Sequence, residues 1–133
     1  MKKALRNKSK YTGFKRILYS AKYSIDGLMY AYKNEKSLIL HGIVSLIAIV
    51  VGIIVKLNRY EWCIIVIVLG IILAFELVNT ALEACVDMVT TKYNELAKIA
   101  KDCGSAASFV TSCIGGIISL YIYIPKLIYL FIK

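Results

Sequence analysis

Glu76, Asn79, Thr80, Glu83 and Asp87 follow directly on an apolar run from Trp62 to Phe75, so carboxylates stand where the preceding residues predict a helix in lipid. At about 100° per residue, positions 76, 80, 83 and 87 share one helix face, with Asn79 on its flank. Three acids on one stripe repel each other and cost desolvation energy unless a cation, a donor-rich ligand or water faces them. Glu35, Lys101 and Asp102 extend the inventory, each beside the end of another apolar run. Carboxylates, an amide, a hydroxyl and a lysine suit a Mg²⁺–polyphosphate site. The acids hold the ion, the lysine offsets phosphate charge, and a further carboxylate takes the proton of an incoming hydroxyl. Two other readings stand beside it: a wet, bundle-facing stripe in a non-catalytic membrane subunit, and an ion-conducting path. A path calls for polar residues at every depth, whereas the first half of this run and nearly all of Cys103 to Ile124 are apolar. That asymmetry favours chemistry at the membrane interface.

The elements that must position these groups are membrane helices. Apolar residues make up 59% of the 133-residue chain, and the mean hydropathy is +0.71. Leu38–Val55 has only His41 and Ser45 as polar members, Trp62–Phe75 is unbroken, and Cys103–Ile124 carries no charge. A helix needs about 20 residues to cross about 30 Å of hydrocarbon, at a rise of about 1.5 Å each. The second run reaches that length only by continuing through Glu76 and Asn79, which draws the polar stripe against the membrane. The expected spans are residues 37–56, 61–87 and 98–124, within a single domain of the all-α membrane class.

Before them, Phe14, Ile17, Leu18, Ala21, Ile25, Leu28, Met29 and Tyr32 recur every three or four residues between Lys15, Arg16, Lys22, Asp26 and Lys33. This spacing predicts an amphipathic surface helix over 11–34, after a loose basic tail from Met1 to Lys10. Gly13 is a candidate start. Lys56 to Glu61 reads as a short polar turn that makes the first two spans antiparallel, and Thr90 to Glu95 as a second short connection. Pro125-Lys126 marks the far interface, with Leu127 to Lys133 as an apolar tail on that surface. His41, about one turn into the first span, suits snorkelling, an interhelical hydrogen bond or packing better than catalysis.

The net charge of +9, from 17 Lys and Arg against 8 Asp and Glu, is concentrated before the first span. It reads as the basic inner flank of a membrane protein, and no nucleic-acid partner is expected. Lys92, Lys98 and Lys101 in the second connection add to that side, against Lys56, Arg59, Lys126 and Lys133 on the other. The N-terminus and the polar stripe are therefore expected on the cytoplasmic side of a multi-pass protein of the bacterial cell membrane. No cleavable signal is expected, since about 35 polar or mixed residues precede the first apolar run. Cys63, Cys85, Cys103 and Cys113 lack CxxC or His/Cys ligand spacing and read as packing residues. Walker A, GxGxxG, HExxH and soluble-kinase signatures are absent.

Three blocks in order carry a resemblance: Gly27-Leu28 followed by Asn34-Glu35; Glu76-Leu77-Val78-Asn79-Thr80-Ala81-Leu82-Glu83 with Asp87; and Ala100-Lys101-Asp102 followed by Gly104-Ser105-Ala106-Ala107. From Thr12 to the third span the chain resembles the prokaryotic diacylglycerol kinase and undecaprenol kinase family. The resemblance implies an ATP-dependent lipid kinase built as a homotrimer, with sites shared between neighbouring subunits. It implies Mg²⁺ at Glu35 and Glu83, and Glu76 as the general base. Asn79, Glu83, Asp87, Lys101 and Asp102 are implied on the nucleotide side. Ala21 and Ser24, with Glu76 and Lys101, are implied on the side of the membrane lipid acceptor.

Many undecaprenol kinases of this family carry Glu-Arg-Asn-Phe or Leu-Arg-Ile-His where this chain has Glu35 to His41, without the Asn or the second Arg. Tyr93 to Leu96 and the Lys-Asp-x-Gly-Ser-Ala-Ala segment look closer to the diacylglycerol branch. Diacylglycerol is thus the expected acceptor and undecaprenol the alternative.

Overall fold

The computed structural model describes residues 12–132, in which every regular element is a helix. The order is α1 (Gly13–Asn34), α2 (Lys36–Ile54), α3 (Arg59–Val89) and α4 (Glu95–Ile132). The expected basic tail Met1–Lys10, Tyr11 at the start of the surface helix and Lys133 at the end of the apolar tail lie outside the described residues. The chain divides into two units at Asn34, one holding α1 and the other α2 to α4.

Among the described residues the first unit holds one amphipathic helix, α1, which begins at Gly13, whose φ of +57° is accessible to glycine without a Cβ clash. Phe14, Ile17, Ile25 and Met29 are exposed along it, as are Ala21 and Ser24. Ser24 donates its hydroxyl to the Ser20 carbonyl at 3.1 Å.

In the second unit, α2, α3 and α4 are each long and apolar enough to cross a membrane. Only 11% of the apolar window of α2 is buried, and 22% of those of α3 and α4. In water, so much exposed aliphatic surface would be strongly unfavourable, whereas lipid tails solvate it. The chain is a multi-pass membrane protein.

Turn chemistry makes α2 and α3 antiparallel. Lys56 takes a left-handed φ of 55°, while its N–H reaches the Ile53 carbonyl at 3.2 Å and that of Leu57 reaches Gly52 at 3.0 Å. This is a Schellman ending with lysine in the position glycine usually holds. The Leu57 side chain folds back over Gly52, where a Cβ would lie 3.0 Å from its Cδ1 and 2.9 Å from Trp62. The polar turn is shorter than the sequence reading, because Arg59 already belongs to α3. Asn58 caps that helix, accepting from the N–H groups of Tyr60 at 2.9 Å and Glu61 at 3.0 Å. Glu61 returns the bond to the Asn58 N–H at 2.6 Å. The Asn-x-x-Glu capping box was readable at Asn58-Arg59-Tyr60-Glu61.

The far end holds the apolar core of Leu57, Ile65 and Tyr123, with Trp62 and Leu127 packed on it. Tyr123 donates its hydroxyl to the Ala48 carbonyl at 2.8 Å, joining α4 to α2. α4 continues past the expected end of the third span, through Pro125 to Ile132. Proline forfeits one backbone bond, but Lys126 pairs with Glu61 at 2.7 Å and Leu127 packs on the core. These contacts hold the following turns against α3.

Candidate active site

The opposite end of the three-helix unit gathers the polar residues. α3 carries them on one face because its periodicity does not change where its composition does. Ile65 is buried in the apolar half, and Glu76 and Thr80 are buried in the polar half of the same continuous helix. Glu76 is only 6% exposed. A buried carboxylate is costly unless its oxygens find donors, and α2 supplies them. Ser37 donates its hydroxyl to Glu76 Oε2 at 2.9 Å, and His41 Nε2 lies 3.2 Å from Oε1. His41 thus makes the interhelical contact anticipated for it. The Thr80 hydroxyl turns back to the Glu76 carbonyl at 3.0 Å, a helical back-bond that satisfies a polar group facing the bundle.

One turn further, Asn79 Nδ2 donates to Glu83 Oε1 at 3.0 Å. Asn79 Oδ1 is buried with no hydrogen-bond partner. The approach of α4 at Gly104 brings the helices close here, since a Cβ on Gly104 would lie 2.6 Å from Asn79 Oδ1 and 2.7 Å from Leu82 Cδ2. The small-residue start of the third span therefore seats the amide.

At the end of α3, Lys101 Nζ lies 2.5 Å from Asp87 Oδ1, tying α4 to α3. Asp102 pairs along its own helix with Lys98, also at 2.5 Å. The sequence treats Lys101-Asp102 as one unit, but adjacent residues on a helix point about 100° apart, so each finds its own partner. Lys98, read from the sequence only as part of the inner basic flank, is thus a second cation of this region, at i, i+4 spacing to Asp102. An open cleft of about 350 Å³ lies here, lined by Asp87, Thr90, Asn94, Lys98, Lys101 and Asp102 among others. A larger groove of about 650 Å³ lies at the far end around Ile54, Pro125 and Tyr129. It is away from every carboxylate of the stripe, and its lining is mainly apolar.

Glu35 occupies the N-cap position of α2 without a side-chain capping bond and is half-buried. It stands near Ser37 in the chain, at the end of α2 that meets Glu76. Among the described residues, no three His, Cys, Asp or Glu side chains come together as a metal-holding group.

Comparison with known proteins gives this arrangement its context. Residues 22–123 match the family described as prokaryotic diacylglycerol kinase. The chain belongs to that family. It is similar to the undecaprenol kinase of Bacillus subtilis, 37% identical over 101 residues that cover 76% of this chain and 82% of that one. It is also similar to the diacylglycerol kinases of Haemophilus influenzae, 35% identical over 109 residues covering 82% and 92%, and of Pseudomonas aeruginosa, 37% identical over 99 residues covering 74% and 80%. The protein is accordingly an enzyme, a phosphotransferase of the lipid kinase class.

Family membership implies Mg²⁺ and ATP, and the donors fit a magnesium ion. Mg²⁺ is usually held by one or two carboxylates together with substrate phosphates and water, without a protein-only cage. Glu83, steadied by Asn79, is a hard oxygen donor of that kind. The partnerless Asn79 Oδ1 is the polar atom in this turn that gains most from a bound cation or a hydrogen-bond donor.

Proposed function

We propose that the protein transfers the γ-phosphoryl group of ATP to the hydroxyl of a membrane lipid, with diacylglycerol as acceptor and phosphatidic acid as product. The observation that carries this reading is the row of groups along one face of α3: the buried Glu76, the Asn79–Glu83 pair and the Asp87–Lys101 pair. At about 1.5 Å per residue, Glu83 stands about 10 Å and Asp87 about 16 Å from Glu76 along the helix. That length suits an elongated nucleotide whose polyphosphate lies beside α3.

In this reading Lys101 and Asp102 contact the nucleotide from α4, and Asn79, Glu83 and Asp87 contact it from α3. Glu35 and Glu83 would hold Mg²⁺, which when bound would supply charge neutralisation on the phosphates. Glu76 accepts the proton of the lipid hydroxyl as its oxygen bonds to the γ-phosphorus and the bond to the β-phosphate oxygen breaks, releasing ADP. Each Glu76 oxygen has two lone pairs, so the Ser37 hydrogen bond and the His41 contact leave acceptor capacity for that proton. Ala21 and Ser24, both exposed on α1, serve as lipid contacts. Lys101 also steadies the acceptor end.

The basic residues preceding α2, together with Lys92, Lys98 and Lys101, support a cytoplasmic N-terminus and site. There a lipid hydroxyl at the interface meets water-borne ATP with neither substrate leaving its own phase. The same reading includes a homotrimer with sites shared between neighbouring subunits, as the resemblance implies.

A second acceptor, undecaprenol, is favoured by the 37% identity to the Bacillus subtilis undecaprenol kinase. The test is phosphate transfer by the purified protein in mixed micelles with Mg-ATP and each lipid in turn. Transfer to diacylglycerol at the higher kcat/KM supports the first acceptor, and a reversed preference assigns undecaprenol. No transfer to either lipid overturns the reading.

A further inference from the structure

Among the described residues, the side chains against the Glu76 carboxylate both come from α2, where Ser37 and His41 are four residues apart and so share a helix face. Each meets a different oxygen: Ser37 donates a hydrogen bond to Oε2 at 2.9 Å, and His41 Nε2 stands 3.2 Å from Oε1. A glutamate side chain has three rotatable torsions, and one hydrogen bond would leave the carboxylate free to swing about it. A hydrogen bond on one oxygen and a polar ring nitrogen against the other restrict both its position and its plane. Glu76 itself is sheltered at 6% exposed and the His41 side chain is 22% exposed, while Ser37 stands at the exposed edge of the pair. A proton acceptor works only within hydrogen-bond reach of the hydroxyl it serves, and misplacement by about 1 Å can cost about 10²-fold in rate.

We propose that Ser37 and His41 are positioning residues for the phosphoryl-transfer step, clamping the Glu76 carboxylate in the orientation that receives the acceptor proton. The proposal rests on the reading of Glu76 as the base of a lipid kinase. Neither residue touches the transferred phosphate; both act through Glu76. The alternative is that the two contacts only pack α2 against α3, in which case losing either one changes stability and leaves the catalytic step alone.

The experiment uses full-length protein in mixed micelles with Mg-ATP and the better of the two lipid acceptors, together with thermal unfolding of each variant. His41→Phe keeps a ring and removes the donor, whereas His41→Gln restores an N–H near the place of Nε2. We expect kcat to fall about tenfold to a hundredfold in His41→Phe, with the KM for ATP within about twofold of wild type, and to recover most of that loss in His41→Gln. Ser37→Ala is expected to lower kcat several-fold by the same route. Wild-type kcat in a folded His41→Phe overturns the proposal, as does an equal loss in His41→Phe and His41→Gln. If His41→Phe does not fold, Ser37→Ala carries the test, and an unchanged kcat there overturns it. Failure of the wild type with both lipids removes the parent reading and this one together; an active wild type with unaffected variants removes this one alone.

Discussion

Gly104 of α4 faces the side chain of Asn79 on α3 so closely that a Cβ at position 104 would lie 2.6 Å from Asn79 Oδ1. The contact is a packing device and a site device together. It lets two membrane helices meet with only the α3 side chains between them, and it sets the amide that holds Glu83.

Gly104→Ala should therefore disturb both. The new methyl must displace Asn79 or Leu82, and overpacking of this kind costs about 1–3 kcal/mol. The lower half is expected, since both obstructing atoms are side-chain ends. Thermal unfolding in detergent reads the stability loss, and the Mg²⁺ dependence of turnover reads displacement of the Asn79–Glu83 pair. An unchanged melting temperature with unchanged Mg²⁺ dependence would show that the helices are less tightly apposed at this point.

Glu76→Gln and Glu83→Gln should separate in their kinetics. The amide at 76 keeps the size and an acceptor oxygen for α2, so folding is retained, while loss of the base lowers kcat by about 10²–10⁴-fold. The amide at 83 removes a charged ligand, so the Mg²⁺ concentration for half-maximal activity should rise and activity fall strongly. Mg²⁺ titrations at saturating ATP measure both. Normal turnover in Glu76→Gln removes its role as base, and an unshifted titration in Glu83→Gln removes its role in metal binding.

Lys101→Ala should spare stability and reduce activity. Its pair with Asp87 is exposed, with side-chain exposures of 37% and 58%, and such pairs contribute about 0–1 kcal/mol. A charge placed against polyphosphate matters more to turnover, so kcat/KM for ATP should drop at least tenfold while the unfolding midpoint moves little. A large loss of stability with kinetics intact in the remaining folded fraction would reassign Lys101 to a structural role.

Asn58→Ala should do the converse. Removing the cap frees two N–H groups at the start of α3 and costs about 1 kcal/mol. The cap belongs to the end of the bundle opposite the carboxylate stripe, so kcat and both KM values should stay at wild-type levels once folded protein is compared. Kinetics that change with the cap would mean that the two ends of α3 are coupled.

The helices were legible in the residues because each follows from local composition. Uninterrupted apolar runs dictate membrane-length helices, and the 3.6-residue repeat puts residues 76, 80, 83 and 87 on one face whatever surrounds them. The Schellman ending at Lys56 escaped notice because lysine there carries no glycine signal, and α4 beyond Pro125 because contacts from α3 outweigh one lost backbone bond.

What the chain fixed by itself was the inventory and its alignment: a metal-compatible acidic stripe, nearby cations and the membrane that surrounds them. Which groups meet was decided in three dimensions. Nothing in the spacing pairs Ser37 and His41 with Glu76, 35 or more positions away, or separates Lys101 from Asp102 by giving them different partners. Those pairings depend on how close two helices come and how each is rotated about its axis. Glycines at the contacts and the burial of polar atoms set these, because a buried carboxylate is stable only where another helix brings it a donor.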